Sequence, residues 1–249
     1  MRIDFYYWGM QCPIHQEMLD LLDEFSNQFT IKIYNIEDNY SLARKMNMFY
    51  PFLTVVDGRY KFFAPIMRGF LEQLVNGVIN MEKPYIIPLA NKVYKGDIIP
   101  LTSENISLLS EKCTMSCSEV NCAKKADFLS KYCDGIYGYA NIKEGTLVGG
   151  AEYIPSIYVP YDIPRSKEYA FITCIYHSSA EFDYKSYPLG ELERYLSSSY
   201  SKVYAITDEV GTFPNGNLEW FLQQGYQDEG IIAVEEGYCR LHLVSKKLM

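Results

Sequence analysis

The 249-residue chain has no apolar run near the roughly 18–20 residues that cross a bilayer as a helix, so no membrane span is expected. It has no basic run either. Lys and Arg number 23 against 31 Asp and Glu, a formal charge of −8. A duplex nucleic-acid binder carries a basic face, so no nucleic-acid partner is expected. The beginning, MRIDFYYWGMQCP, lacks the long apolar core and small-residue cleavage site of a secretory signal and reads as a first strand. Cysteine is present as an odd number, 7, which argues against a secreted disulfide framework. Tryptophan (2) and histidine (3) are scarce. These features together point to a cytoplasmic protein with reduced thiols. Its apolar share of 48% and charged share of 22% exclude disorder as the main state.

The pattern along the chain is α/β (α+β). In the first 80 residues Ile3, Phe5 and Tyr7 alternate as in a half-buried strand. Cys12-Pro13 follows, with Pro13 suited to the first helical position and Cys12 to the N-cap. Ile14, Met18, Leu21, Leu22 and Phe25 make one helical stripe. Strands are expected over 29–36 and 52–56, a short helix over 40–48, a turn at Asp57-Gly58 and a closing helix through Leu74 and Val75. This strand–helix–strand–helix–strand–strand–helix order, with Trp8, Cys12, Pro13 and His15 after the first strand and Tyr50-Pro51 before the third, resembles the thioredoxin fold over about 75 residues. The resemblance implies a reactive thiol at Cys12. The second cysteine of the family's motif is replaced by His15, which breaks the two-cysteine exchange. Cys12 with a lowered pKa at a helix start, assisted by His15, is one reading. A cap in a module retained as scaffold is the other.

Residues 81–96 lack a clear period and read as a linker. From Asp97 to Met249 the pattern is short strand, helices over 103–110 and 120–132, a hairpin at 136–154, an apolar strand at 169–176, a helix opened by Pro188, a strand at 203–206, a short helix at 217–224 and a final hairpin. Asn217, Trp220-Phe221 and Gly225-Tyr226 before two closing strands, Val148-Gly149-Gly150 in the hairpin, and the strand before the Pro188 helix resemble the GNAT (Gcn5-related N-acetyltransferase) superfamily over about 150 residues.

That resemblance implies a mixed-sheet acyl-CoA N-acyltransferase fold. It implies acetyl-CoA held where the fourth and fifth strands splay, and a small-molecule or peptide amine as acceptor. The coenzyme would take N–H bonds from Cys174, Ile175 and Tyr176. Its pyrophosphate would lie at the next helix start, near Lys185, Ser186, Leu189 and Gly190, where orphan N–H groups favour an anion. Asn217 and Phe221 would face it across the gap. The family's Gly-rich phosphate loop is missing; Glu181 and Asp183 stand in the loop instead.

Acetyl transfer needs a base and an acid. Glu152 and His177 are the candidates for the base. The family's acidic tyrosine falls on Phe221, which leaves Tyr226 and Tyr176 as alternatives. A catalytically degenerate coenzyme A-binding or scaffold protein, and a thiol-dependent redox or detoxification protein using Cys12, remain open alternatives. Cys113, Cys117 and Cys122, with Cys133 as a fourth, lack typical zinc spacing, so no metal is expected. His242 alternates with Leu241 and Leu243 and reads as the polar face of a terminal strand.

Overall fold

The computed structural model describes all residues except 88–89, 112–117, 178–180 and 212–214, and leaves aside the side chains of residues 110, 111, 119 and 177. Cys113 and Cys117 therefore lie outside the described residues. The chain forms two units: Met1–Lys83 with Pro160–Asp162, and Pro84–Val159 with Ile163–Met249.

The first unit runs β1 (Arg2–Tyr7), α1 (Ile14–Glu24), β2 (Thr30–Asn35), α2 (Tyr40–Lys45), β3 (Phe52–Val56), β4 (Tyr60–Phe62) and α3 (Arg68–Val75). Its four-stranded mixed sheet has the order β2-β1-β3-β4. β1 pairs with β2 in parallel and with β3 antiparallel. Every residue of β3 is buried, as a strand covered on both faces requires. α1 buries Ile14, Met18 and Leu22 from its apolar stripe. Asp57 and Gly58 both take positive φ (51° and 68°), the backbone of a primed turn closed by Arg59 N–H to Val56 O, inside the connection between the paired Val56 and Tyr60. The Glu82 carboxylate accepts the N–H of Phe63 (2.7 Å) and of Ala64 (3.1 Å), and burial pushes its pKa up. Tyr161 packs its ring edge-on against Trp8, centroids 5.1 Å apart, and Asp162 takes the Tyr40 hydroxyl at 2.8 Å.

The second unit runs β5 (Asp97–Leu101), a 3-10 helix (Ile106–Glu111), α4 (Glu119–Ser130), β6 (Gly138–Lys143), β7 (Thr146–Pro155), a 3-10 turn (Ser156–Tyr158), β8 (Tyr169–His177), α5 (Ser186–Leu196), β9 (Lys202–Asp208), α6 (Leu218–Gln223), β10 (Gln227–Glu235) and β11 (Cys239–Lys247). Its seven-stranded sheet has the order β10-β11-β9-β8-β7-β6-β5. All neighbours are antiparallel except β8 and β9. Among the described residues no helix is long and apolar enough to cross a membrane.

Two expectations change here. Part of the segment read as a linker belongs to this sheet's surroundings: Val93 bridges Asp183, Tyr94 N–H donates to Asp183 O at 3.0 Å, and the buried Asn141 side chain takes Gly96 N–H and gives to Tyr94 O. Backbone polar groups, invisible to hydropathy, fasten it. The helix expected over 103–110 is a 3-10 helix starting later, because the Asn105 side chain takes the Thr102 N–H and the Thr102 hydroxyl takes the Glu104 N–H first.

Gly149 and Gly150 are required by close approach. A Cβ on Gly149 would stand 2.3 Å from the Tyr184 carbonyl oxygen, and one on Gly150 would stand 2.4 Å from the Tyr176 hydroxyl oxygen. Gly149→Ala should therefore destabilise the second unit by about 1–3 kcal/mol, the usual range for overpacking. The chain's two tryptophans, Trp8 and Trp220, fall one in each unit. Urea denaturation followed by Trp220 fluorescence in a Trp8→Phe background reads the loss; an unchanged midpoint would contradict it.

Candidate functional site

The site is built on a strand pair that stops pairing. β8 and β9 run parallel with partners Tyr169↔Lys202, Ala170↔Val203 and Phe171↔Tyr204, and there the ladder ends. β8 continues to His177, held on its other edge by β7 through Cys174↔Glu152, Ile175↔Ala151 and Tyr176↔Gly150. β9 continues to Asp208, held by β11. The sheet opens between them toward their C-terminal ends, where α5 and α6 begin.

Residues 215–217 turn back along the β9 side of this opening. Asp208 bridges Leu241 on one edge and Asn217 on the other. Asn215 Nδ2 donates to Ile206 O at 3.1 Å, and the Thr207 hydroxyl donates to Gly216 O at 2.7 Å. Asn217 also caps α6, accepting Trp220 N–H at 3.0 Å. The Asp208 carboxylate takes the N–H groups of Val210, Gly211 and Arg240, so it holds the strand end together.

At the start of α5 stands Asp183. One of its carboxylate oxygens accepts the N–H of Lys185 and of Ser186, each at 2.9 Å. The other accepts the Ser186 hydroxyl at 2.5 Å and the Trp220 indole N–H at 3.2 Å. Burial alone would raise its pKa, but these donors outweigh burial and lower it. The helix start is thus closed by an internal anion. Sequence reasoning named Asp183 only as a misplaced charge. The signal was available: Asp followed by a polar residue three places on, ahead of Pro188, is a capping pattern.

Lys185 was expected to meet a phosphate in an exposed loop. Its side chain is instead 97% buried by its 3% exposure, with Nζ 4.0 Å from the centroid of the Trp220 ring. Gly216, at φ +135°, makes room for it; a Cβ there would lie 2.9 Å from Nζ. Among the described residues this ammonium forms no ion pair. Burial lowers its pKa from 10.5 to about 8, against the opposing pull of Asp183. Beside it a cavity of about 580 Å³ opens between α5, α6 and the segment before β5, lined by Asn91, Val93, Asp183, Ser186, Asn217 and Trp220 among others.

The remaining candidates divide. Cys174, Ile175 and Tyr176 lie on the half of β8 beyond the last β9 pairing. Ser186 lines the cavity. Leu189 does not offer an orphan N–H: it donates to Lys185 O at 3.1 Å, and its side chain is core. Gly190 sits a turn into α5 with an exposed Cα and nothing near, since α5 starts at Ser186, before Pro188. Phe221 is fully buried between Trp220 and Tyr226. Tyr226 is buried beside Glu193 and under Lys246, whose strand position pairs with Val203, at the end where β8 and β9 are still joined. It is a packing residue away from the opening, and burial with Glu193 raises its pKa.

Glu152 is completely buried and paired with Lys125 of α4, Nζ to Oε2 2.6 Å. Burial raises its pKa; Lys125 and the nearby Tyr176 hydroxyl oppose this. A water-facing base is therefore not what the structure provides at Glu152. Lys125 was missed because a lysine on a polar helix turn reads as exposed. The side chain of His177 lies outside the described ones; its backbone pairs with Gly149. His242 is 6% exposed and its ring nitrogens meet Asp228 (2.9 Å) and Glu209 (2.8 Å), so it is a buried hydrogen-bonded link and not the open face of a strand. Among the described residues no group of His, Cys, Asp and Glu is placed to hold a metal.

In the first unit Cys12 is half-buried in the loop before α1. The helix cap is Pro13, one position later than expected, with no side-chain bond. His15 is fully buried; its Nδ1–H donates to Gly9 O at 2.6 Å, and its ring meets Tyr7 and Phe52 edge-on. That Nδ1 is committed to the loop backbone.

No protein family and no curated protein matches the chain in sequence. In structure it is similar to an aminoglycoside 6'-acetyltransferase type Ii (16% identity, 61% of this chain and 97% of that one, TM-score 0.47). It is similar also to an N-acetyltransferase from Staphylococcus aureus Mu50 (10%, 63% and 100%, 0.48). A third likeness is to an aminoglycoside 6'-N-acetyltransferase complexed with coenzyme A (15%, 61% and 97%, 0.44).

The buried lysine yields a stability prediction. A lysine with a lowered folded pKa holds fewer protons folded than unfolded between the two values. Stability is therefore lowest below about pH 8 and rises as pH goes from about 8 toward 10.5. Lys185→Met should remove that rise and stabilise the second unit by about 1–3 kcal/mol at neutral pH, as replacing buried charge with apolar volume does. Denaturation midpoints across this pH range measure it. A destabilised variant with the slope intact would contradict the burial argument.

Proposed function

We propose that the second unit binds acetyl-CoA in the opening between β8 and β9 and transfers the acetyl group to an amine. The observation that carries this reading is the parallel ladder that stops at Phe171↔Tyr204 while both strands run on, with a helix beginning at each open end. A flexible amide-bearing arm suits such an opening, because strand backbone can bond it along its length. Residues 174–176 would take the pantetheine arm and the thioester carbonyl, and holding both reactants there would supply much of the rate. The resemblance to the GNAT superfamily in Asn217, Trp220-Phe221 and Gly225-Tyr226 supports the same reading, and the first unit's element order supports a thioredoxin-like module in the same chain.

The pyrophosphate would approach the start of α5, where the helix dipole favours an anion. The fit there is conditional. The donors of Lys185 and Ser186 are held by Asp183, and the carboxylate has to give them up. The Asp183 cap therefore weakens the coenzyme by competing for its place. For proton transfer, Tyr176 is the residue through which the buried Glu152–Lys125 pair reaches the opening, since the Tyr176 hydroxyl contributes to the Glu152 environment. The acceptor amine is of the small-molecule or peptide class.

Calorimetry with coenzyme A tests the reading. Wild type should bind in the micromolar-to-millimolar range. Asp183→Asn, which removes the competing charge but keeps a side chain of the same shape, should bind about tenfold more tightly, about 1.4 kcal/mol. Equal or weaker binding by the variant would place the phosphate elsewhere. No wild-type binding at millimolar coenzyme would remove acetyl transfer and leave a scaffold.

A further inference from the structure

The segment before β5 lies where the coenzyme reading brings the phosphates, and that reading gives it no part. At one point it passes the turn after β9: the Tyr85 carbonyl oxygen would stand 3.4 Å from a Cβ on Gly211. At another it lies against the chain just before α5. There Asp183 N–H donates to Lys92 O at 2.9 Å, Tyr94 N–H donates to Asp183 O at 3.0 Å, and Val93 forms a parallel bridge with Asp183. The segment thus reaches both sides of the mouth between the parted strands. Ala90, Asn91 and Val93 line the same cavity as Ser186 and Trp220.

Little holds residues 90–95 down. Among the described residues of 84–96 none is buried. Val93 is 41% exposed. The firm base is the buried Asn141 side chain, which takes Gly96 N–H and gives to Tyr94 O, each at 3.0 Å. Beyond that base the segment keeps the two backbone bonds at Asp183 and the contact of the Tyr94 ring with Phe182 and Tyr184. A segment with so few buried apolar contacts opens at low free energy. What it grips is the residue that closes the helix start. The Asp183 carboxylate takes the N–H groups of Lys185 and Ser186, and the segment fixes the Asp183 backbone from behind.

We propose that residues 90–95 are an autoinhibitory strap. Bonded to Asp183, they keep the start of α5 closed by its internal carboxylate; released, they let the carboxylate withdraw and the coenzyme phosphates take its donors. This rests on the acetyl-CoA reading above. The coupling runs both ways, as linkage requires: phosphate at α5 loosens the strap, and whatever loosens the strap favours phosphate. Strap and cap act through one residue. Removing either therefore gives a similar gain, and removing both gives no more.

The test uses the full chain with coenzyme A as probe, measured by calorimetry. Tyr94→Pro deletes the N–H given to Asp183, and Val93, in an extended bridge, already has the backbone that a following proline needs. Tyr94→Phe keeps that N–H. The proposal expects Tyr94→Pro to bind about tenfold more tightly than wild type and Tyr94→Phe to bind as wild type. Tyr94→Pro combined with Asp183→Asn should bind no more tightly than Asp183→Asn alone. Equal affinity of Tyr94→Pro and wild type, or gains that add in the double variant, overturns the strap and leaves the coenzyme reading standing. Absence of wild-type binding overturns both. Hydrogen–deuterium exchange of the wild type without ligand reads the strap with no variant. The Tyr94 and Asp183 amides should exchange faster than the paired amides of β9; exchange as slow as theirs overturns the strap.

Discussion

A parallel strand pair that stops short creates a problem that the rest of the second unit solves. Backbone donors and acceptors inside a protein have to be satisfied, and beyond Phe171↔Tyr204 the two strands no longer do this for each other. On the β9 side the chain supplies its own partner: residues 215–217 run along the strand, and Asp208 pairs on both edges. The cap of α6 by Asn217 follows from the same turn. Gly216 is there because its backbone conformation and its missing side chain are both needed.

The same logic governs the start of α5. A helix start concentrates unpaired N–H groups and a positive dipole end, and something negative has to meet them. In this chain Asp183 does, reaching Trp220 on the next helix at the same time. One carboxylate thus joins the two helices that flank the opening and occupies the backbone donors at the start of α5. The adjacent ammonium of Lys185 is left to the Trp220 ring. On the coenzyme reading proposed above, a phosphate at this helix start would have to displace the Asp183 carboxylate.

Much of the architecture was legible in the sequence. The stripe from Ile14 to Leu22 and the apolar strand ending near Tyr176 report burial directly, because period and hydropathy are local; the alternation of Ile3, Phe5 and Tyr7 found the first strand but not its burial on both faces, since Asp4 and Tyr6 between them are buried as well. The positions on β8 followed from that strand. What was not legible depends on contacts distant in sequence. Lys125 and Glu152 look like surface charges until their elements are packed together. Tyr226 reads as a neighbour of the site, yet it points to the joined end of the strands. Leu189 and Gly190 were misplaced because Pro188 was taken as the helix start, whereas the helix begins at Ser186, with Lys185 as its N-cap and the Lys185 and Ser186 N–H groups on Asp183. His242 could not be distinguished from an exposed strand residue without knowing that Glu209 and Asp228 converge on it.

The central claim is that the opening between β8 and β9 is where the coenzyme lies. Hydrogen–deuterium exchange of the full chain with and without coenzyme A tests this at the backbone itself. The account predicts slowed exchange at residues 174–176 and at the start of α5, with β10 and β11 unchanged. Coenzyme binding that protects another region and leaves residues 174–176 exchanging as before would contradict it.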